Sequence, residues 1–249
     1  MSETHAPVRR RYDATPGLEK VSEAILRDMD HSDGPAAALV VGVSDSADTR
    51  LFIELSSYGS DLKEASHALD LATQGLQDGS PLADASAYLI GFAVVAYCRT
   101  FLHSNVRRPL TEHVRVPAEF EHVHEQVRAF RNATIAHSQS ELSVTYPLGF
   151  LDPATLELAH LSGVTISSTL PEYVMDRFRR LVDVMTEQLD VVIEPVSARL
   201  ESRLRKTDPH LLLAGPGPEL PARFAEDFDP RSKRAPYPSG QTLYWNHPR

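Results

Sequence analysis

The sequence contains very little cysteine, and this scarcity excludes two kinds of site. Cys98 is the only cysteine among 249 residues, so the chain has no internal disulfide and no zinc site built from several cysteines. Its neighbours in the stretch VVAYCRTF are mostly apolar, which is typical of a small core residue and not of an activated nucleophile. We therefore expect Cys98 to lie in the core.

Long apolar runs and an excess of positive charge are also missing. No apolar stretch approaches the roughly 20 residues that a membrane-spanning helix needs. The basic N-terminus MSETHAPVRRRYDATP is not followed by the apolar segment of a secretory signal. The formal net charge of −9 argues against non-specific coating of nucleic acid, because proteins that do this carry basic surfaces. These absences predict a cytoplasmic protein without membrane contact.

Several signatures of catalysis and phosphate binding are absent as well. The chain has no Walker A loop and no GxGxxG, HExxH or GxSxG motif. His122 and His124 would point about 200° apart on a helix, so they cannot share a metal ion. His113 falls in a predicted loop without obvious ligand partners. We expect neither a metal nor a cofactor.

The apolar residues that are present, 42% of the chain, follow mainly helical periodicity. Spacings of four and three in alternation predict a long helix over about 47–77, with a stripe of Leu51, Leu55, Tyr58, Leu62, Ala65, Leu69, Ala72 and Leu76. A second helix, from about Pro81 or Leu82 to His103, has the stripe Tyr88, Phe92, Val95, Arg99 and Leu102. A third begins near Pro117, with the stripe Phe120, Val123, Val127, Phe130, Thr134 and His137.

After residue 140 the apolar period changes to two. The stretches ELSVTY, TLELAHL and VTIS predict short strands of a small antiparallel insertion. A last long helix is predicted from a cap at Ser168 or Thr169 to about Arg205, and Pro195 is expected to kink it or split it in two. An earlier helix is predicted over about 16–29, and AAALVVGV at 37–44 is ambiguous between strand and helix.

These patterns predict a mainly α protein in three parts. Residues 1–14 are polar and lack periodicity, which indicates a disordered arm. Residues 15–206 form an antiparallel helical bundle with a small β-hairpin insertion at about 140–168. Residues 207–249 are rich in proline and glycine and are expected to form an irregular tail.

The stretch VRAFRNATIAHSQS, residues 127–140, carries the pattern that most favours chemistry. On an α-helix, Arg131 and His137 would point about 120° apart and lie about 9 Å apart along the axis. Both could therefore reach one groove, with His137 on the packing side and Arg131 beside it. The alternative is structural: a histidine near a helix end interacts with the last carbonyls, and an arginine at a stripe edge pairs with a carboxylate such as Glu125.

Arg99 is a second anomaly, because it interrupts an apolar stripe. A guanidinium there must be paired or must face a polar groove. Arg99 would either pair with a buried acid and fix the helix register, or add charge to a phosphate-binding groove with Arg131. The segment from Arg99 to His137 has six arginines against four glutamates, a net charge of +2, and arginine suits fork-like phosphate contacts. A mixed solvated helix face has the same composition.

The residues FRNATIAHS resemble the arginine–polar–spacer–histidine motif of the HEPN superfamily, all-helical domains common in prokaryotic defence and toxin–antitoxin systems. The asparagine after the arginine, the AHS that ends the motif, and YCRTF on the preceding helix are similar to HEPN-like proteins associated with abortive phage infection. The resemblance covers about residues 47–206. The β insertion and the Pro-rich tail are not part of the superfamily's minimal domain.

This resemblance implies a homodimer in which two arginines and two histidines form one composite site that cuts RNA without a metal. Arg131 would bind the scissile phosphate and stabilise its developing charge. His137 would act as general base or acid, and Asn132 would position the phosphate or the histidine. The expected supporting, phosphate-binding residues are Arg99, Arg128 and Ser138.

Three functions follow from these observations. The first is a metal-independent endoribonuclease of a defence or toxin–antitoxin system. The second is a non-catalytic HEPN-like module that binds a nucleotide, RNA or a protein, and the third is a helical structural protein. The partners expected are a second copy, RNA or a nucleotide, and a cognate antitoxin.

Overall fold

The computed structural model describes residues 41–104, 106–137, 139–215, 222–224, 235, 237 and 243–245. The predicted arm at 1–14 and the predicted helix at about 16–29 lie outside this range. Residues 41–44, at the end of AAALVVGV, have no regular secondary structure. The described chain divides into two compact units, of which the larger comprises residues 45–203.

The larger unit contains four long or medium helices and one hairpin. The helices are α1 (Ala47–Gly75), α2 (Ser86–Arg99), α3 (Glu121–Phe130) and α4 (Glu172–Lys206), the last of which extends three residues beyond the unit. Short 3₁₀ turns lie at Ala83–Ala85, Leu110–Glu112 and Ala118–Phe120, and a π-helical turn follows α3 at Arg131–Ile135. Strands β1 (Ser143–Leu151) and β2 (Leu158–Ser167) lie between this turn and α4.

Ion pairs establish that α1 and α4 run in opposite directions. Asp48, in the first turn of α1, pairs with Arg199 of α4, whose Nη2 is 2.7 Å from Asp48 Oδ1. Asp70, near the end of α1, pairs with Arg179, which precedes Arg199 by 20 residues. The structure thus confirms the predicted mainly α fold, an antiparallel helical bundle with a β-hairpin.

The boundaries of α1 have local causes. Ser46 caps its start, where the Ser46 hydroxyl accepts a hydrogen bond from the Thr49 backbone N–H at 3.1 Å. Its end at Gly75 needs the smallest residue, since a Cβ there would overlap the Ser86 side chain and the Leu82 carbonyl. The predicted span of about 47–77 is confirmed to within two residues, and the central residues of its stripe are buried.

The predicted stripe of the second helix is wrong, because α2 buries a different face. The core face of α2 consists of Ile90, Ala93, Val94, Ala96, Tyr97 and Cys98. Tyr88 and Phe92 of the predicted stripe are instead 80% and 46% exposed, and Leu102 beyond the helix is also exposed. Since α2 is apolar on both sides, its periodicity did not identify the face that packs. The small side chains of Ala93 and Ala96 on the core face allow close packing.

Tyr97 is the centre of the core that joins α2, α3 and α4. Its ring contacts Phe101, Phe178 and His124 with centroids 4.9, 5.1 and 5.8 Å away. The Tyr97 hydroxyl shares a 2.8 Å hydrogen bond with His124 Nδ1. Burial lowers the pKa of His124, so this histidine is a neutral core residue. Cys98, which follows Tyr97 in the chain, is buried, as predicted.

The hairpin is a single two-stranded antiparallel sheet. Its register runs from Ser143 opposite Ser167 to Leu151 opposite Leu158, with an irregularity near Phe150. TLELAHL and VTIS, predicted as separate strands, contribute to one strand, β2. Ser168 N–H donates to the Leu142 carbonyl at 2.7 Å, so the two ends of the hairpin are adjacent.

Helix α4 continues through Pro195 without a break, so the predicted split is wrong. Proline removes one backbone donor, which leaves the carbonyl of Val191 without its usual partner. Val191 and Pro195 are both exposed, and water can satisfy that carbonyl. No helix in the described part of the chain is long and apolar enough to cross a membrane.

The smaller unit contains regular structure where an irregular tail was predicted. Helix α5 (Pro209–Ala214) is capped by Asp208, whose side chain accepts a hydrogen bond from the His210 backbone N–H at 2.8 Å. Strands β3 (Ala222–Phe224) and β4 (Leu243–Trp245) pair in parallel, Ala222 opposite Leu243 and Phe224 opposite Trp245.

Candidate functional site

The helix that carries the predicted motif changes its winding at the motif itself. Helix α3 ends at Phe130, and the π-helical turn Arg131–Ile135 follows, closed by a 2.9 Å hydrogen bond from the Ala136 N–H to the Arg131 carbonyl. A bond from residue i to residue i+5 encloses one residue more than an α-helical bond, and such turns are frequent at functional sites. The α-helical angle predicted between Arg131 and His137 therefore does not hold.

His137 consequently lies outside the packed stripe. Phe120, Val123, Val127 and Phe130 are buried as predicted, whereas His137 is exposed. The expectation that His137 points towards the packing side is therefore corrected. No hydrogen bond joins the His137 side chain to another described residue, so its imidazole is open to solvent and to a ligand. Ser138 lies outside the described residues.

Arg131 has a polar partner but no acidic one among the residues that the structure describes. Its Nη1 donates a 3.0 Å hydrogen bond to Oδ1 of Asn132, and the Arg131 side chain is half-buried while Asn132 is exposed. Within the described chain no carboxylate lies within 4.0 Å of the guanidinium, so the predicted alternative of a pair with Glu125 is not observed. Arg131 thus retains an unneutralised positive charge.

Arg128 adds a second cation to the same helix. It is exposed, and no described residue forms an ion pair with it. Burial raises the pKa of the Cys98 thiol to about 11, while Arg131 and Arg128 act in the opposite direction. Both charges therefore act on the same thiol of α2. Cys98 itself remains a protonated core residue at neutral pH.

Arg99 follows the first of its two predicted alternatives. Its Nη2 lies 2.7 Å from Asp61 Oδ1 and also pairs with Glu64. Asp61, which is buried, pairs on its other oxygen with Arg107. Because two carboxylates of α1 pair with it, Arg99 fixes α2 against α1 and has no unpaired charge to offer an anion.

A polar cluster that sequence reasoning missed holds the loop after α2 to α1. Glu54 accepts hydrogen bonds from the backbone N–H of Arg108 at 3.0 Å and from the Tyr58 hydroxyl at 3.0 Å, and His113 Nε2 lies 3.4 Å away. Burial alone would raise the pKa of Glu54, but these bonds and the Arg108 guanidinium outweigh it and lower that pKa to about 2. The only part of this cluster that the sequence could have indicated is the contact between Glu54 and Tyr58, which lie one turn apart on α1.

This Glu54 cluster is structural in character. Each of its polar groups already has a partner within the chain, so none is left for a substrate. Within the described residues, no three or more histidine, cysteine, aspartate or glutamate side chains are arranged to hold a metal ion.

The candidate site therefore comprises two cations, an amide and an imidazole that lie close together in the sequence, in and beside the π-turn. These groups can bind an anion and exchange a proton, which is what phosphate-ester chemistry requires. Comparisons of the chain with protein-family models, curated proteins and solved structures find no match.

Proposed function

We propose that the chain is a metal-independent endoribonuclease of a defence or toxin–antitoxin system, acting as a dimer with a composite Arg/His site. The observation that carries this proposal is the exposed His137 six residues after Arg131, whose charge has no carboxylate partner among the described residues. Arginines of the bundle that serve only structure, such as Arg107 and Arg179, are matched by aspartates. Arg131 is held by an amide instead, which orients the charge without neutralising it.

In the proposed reaction, His137 removes the proton of a ribose 2′-hydroxyl, and the oxygen attacks the adjacent phosphorus. A 2′-O–P bond forms, the P–O5′ bond breaks, and the departing 5′ oxygen takes a proton from water, which the protonated His137 replaces. The products are a 2′,3′-cyclic phosphate and a 5′-hydroxyl. Arg131 stabilises the negative charge on the phosphoryl oxygens during this step, and Asn132 keeps the guanidinium in place.

The exposed face of α2 supports a dimer near this site. Tyr88 and Phe92 form an apolar surface that no described part of the chain covers. The side chain of Ile135 in the π-turn reaches α2 at Gly91, where its Cδ1 lies 3.9 Å from the position of a Cβ. A second copy that covered this surface would therefore lie beside the Arg131 turn.

The test is cleavage of labelled RNA by the purified protein in excess chelator. We expect wild type to cut, and Arg131→Ala and His137→Ala each to lose at least about 100-fold in rate, the scale of a general acid–base or charge-stabilising group. Matched controls are Arg180→Ala and His122→Ala, which remove an exposed arginine and an exposed histidine elsewhere. Cleavage that survives both motif substitutions would overturn the proposal.

A mixing experiment tests the composite character of the site. Arg131→Ala and His137→Ala subunits are inactive separately, but a mixed dimer retains one arginine and one histidine. We expect mixing to restore part of the activity. If each variant is inactive and the mixture remains so after subunit exchange is demonstrated, the site belongs to one chain.

A non-catalytic HEPN-like module is the second candidate. The exposed apolar faces of α2 and of the hairpin, where Tyr146 and Phe150 are 46% and 40% exposed, favour a protein partner such as a cognate antitoxin. The net charge of −9 also opposes broad RNA binding. This candidate predicts binding of a protein partner through these apolar faces, without any RNA cleavage.

A further inference from the structure

A groove of about 360 Å³ lies between the π-turn and the first turn of α4. One wall is formed by residues of α3 and the π-turn, among them Gln126, Ala133 and Thr134, and the opposite wall includes Tyr173. Its size falls within the roughly 300–1,000 Å³ typical of small-molecule sites. The groove is therefore large enough for a ligand of a few rings.

No charged side chain of the described residues lines this groove, but it contains hydrogen-bonding groups without a described partner. The Thr134 hydroxyl oxygen is buried and has no hydrogen-bond partner in the described chain. A threonine in an α-helix commonly donates to the carbonyl four residues before it, and in the π-turn Thr134 makes no such bond. Thr134 is one of the residues that line the groove, so its unpartnered hydroxyl is a candidate contact for a polar ligand.

Two further groups give the groove a preference for a flat heterocycle. The Gln126 amide forms no hydrogen bond with any described residue, and it can both donate and accept. Tyr173, at the groove's edge, is 66% exposed, so its ring face is available for stacking. Aromatic stacking together with amide and hydroxyl contacts to the base edge is how proteins bind unpaired bases.

We propose that this groove binds a nucleobase of the RNA whose phosphate lies at Arg131. The inference rests on the proposed function, and it adds a subsite that selects the nucleotide next to the cut. Its basis is continuity along the chain: Thr134 lines the groove and Arg131 begins the same five-residue turn, so the groove and the guanidinium belong to one element. A neutral groove beside a cation matches a neutral base attached to an anionic phosphate.

The experiment uses short 2′-O-methyl RNAs, which cannot be cleaved by attack of the 2′-hydroxyl, with one abasic position moved along the strand. Fluorescence anisotropy measures their affinity for the full chain. We expect one position at which base removal weakens binding by about 10-fold, within the range for loss of one stacked base. A uniform response along the strand overturns the inference.

Substitutions in the groove provide the matching test. Ala133→Leu fills the groove and Tyr173→Ala removes the stacking ring. Each should therefore weaken the binding of intact RNA by about 10-fold and abolish the further loss of affinity that an abasic position causes in wild type. Ala129→Leu, at an exposed position of the same wall, serves if Ala133→Leu does not fold. Ala198→Leu on α4 and Tyr146→Ala on the hairpin are controls outside the groove. Groove variants that bind like wild type contradict the inference.

The outcome for the groove can be separated from that for the proposed function. If Arg131→Ala abolishes cleavage while the groove variants change nothing, the endoribonuclease stands and the base subsite is overturned. If wild type neither binds nor cuts RNA, the proposed endoribonuclease activity is overturned. Binding of free nucleosides then tests the groove independently. Saturation-transfer NMR with adenosine, guanosine, cytidine and uridine then supports the groove if Ala133→Leu removes the signal, and overturns it if no nucleoside responds.

Discussion

The guanidinium of Arg131 is held by the side chain that follows it in the chain, through a 3.0 Å hydrogen bond from Nη1 to Asn132 Oδ1. The amide oxygen carries only a partial charge, so the guanidinium keeps nearly its full charge. By contrast, the guanidinium of Arg107 contacts Asp61, and that of Arg108 lies near Glu54 and Glu112. The pair Arg131–Asn132 is therefore suited to an external anion.

Replacing this amide by an acid should impair anion binding without unfolding the protein. In Asn132→Asp, a carboxylate next to Arg131 competes with phosphate, and we expect RNA affinity to fall roughly 10-fold, or about 1.4 kcal/mol. The free energy of unfolding should stay within about 0.5 kcal/mol of wild type because Asn132 is exposed. Gln74→Glu makes the same charge change at an exposed position of α1. Equal losses in both variants would indicate a general charge effect.

The uncovered face of α2 should determine the oligomeric state. Phe92→Glu places a charge in this apolar surface, and we expect sedimentation velocity to detect a monomer at concentrations where wild type is a dimer. Cleavage should fall in proportion to the dimer population. The free energy of unfolding of the monomer should change little, because Phe92 is 46% exposed. Val191→Glu on α4 is the control at a more exposed apolar site. A Phe92→Glu dimer as tight as wild type excludes this face.

The Glu54 cluster predicts a loss of stability in acid. The folded-state pKa of Glu54 is about 2, below its usual 4.5, so the unfolded chain binds the proton more readily. The stabilisation is complete above about pH 4.5 and is lost as the pH falls towards 2. Glu54→Gln should cost about 2 kcal/mol at pH 7 and flatten this part of the stability curve measured in urea.

Glu112→Gln provides the control for that experiment. Glu112 is exposed and makes a single 3.2 Å contact with the Arg108 guanidinium, so its removal should change the free energy of unfolding by less than about 1 kcal/mol. Equal effects of the two substitutions would show that Glu54 has no special role in holding the loop.

The hairpin should be dispensable for folding of the helices. Residues 143–167 pack little against the bundle, since most of their side chains are exposed. The Ser168 N–H meets the Leu142 carbonyl at 2.7 Å, so Asn-Gly can replace the hairpin without moving its ends. We expect unchanged helical circular dichroism per residue of α1–α4 and a stability within about 1 kcal/mol of wild type. A shortened chain that fails to fold would contradict this account.

The sequence predicted helices best where polar and apolar faces are clearly separated. The stripe of α1 was read correctly because Leu55, Tyr58, Leu62 and Ala65 are separated by serine, glycine and charged residues, so one face was clearly the more apolar. Helix α2 has apolar residues on both sides, so its periodicity was consistent with either face. The choice of Ile90 and Tyr97 over Tyr88 and Phe92 depended on neighbouring helices.

Long-range polar partners were likewise beyond reach of the sequence. That Arg99 must be paired followed from the cost of burying its charge, but Asp61 and Glu64 lie 35 or more residues earlier in the chain. The same holds for Glu54, which meets Arg108 across 54 residues.

The sequence alone determined a mainly α chain, its hairpin, and a predicted helical segment in which Arg131, Asn132 and His137 are candidates for chemistry. Local hydrogen bonding and apolar periodicity act over a few residues, and those features depend on nothing further. Only the tertiary structure decided that a π-turn follows α3 at Arg131, that His137 is exposed, and that Arg131 lacks an acidic partner in the described chain. These properties depend on which surfaces meet when distant segments pack, and short-range patterns do not encode that choice.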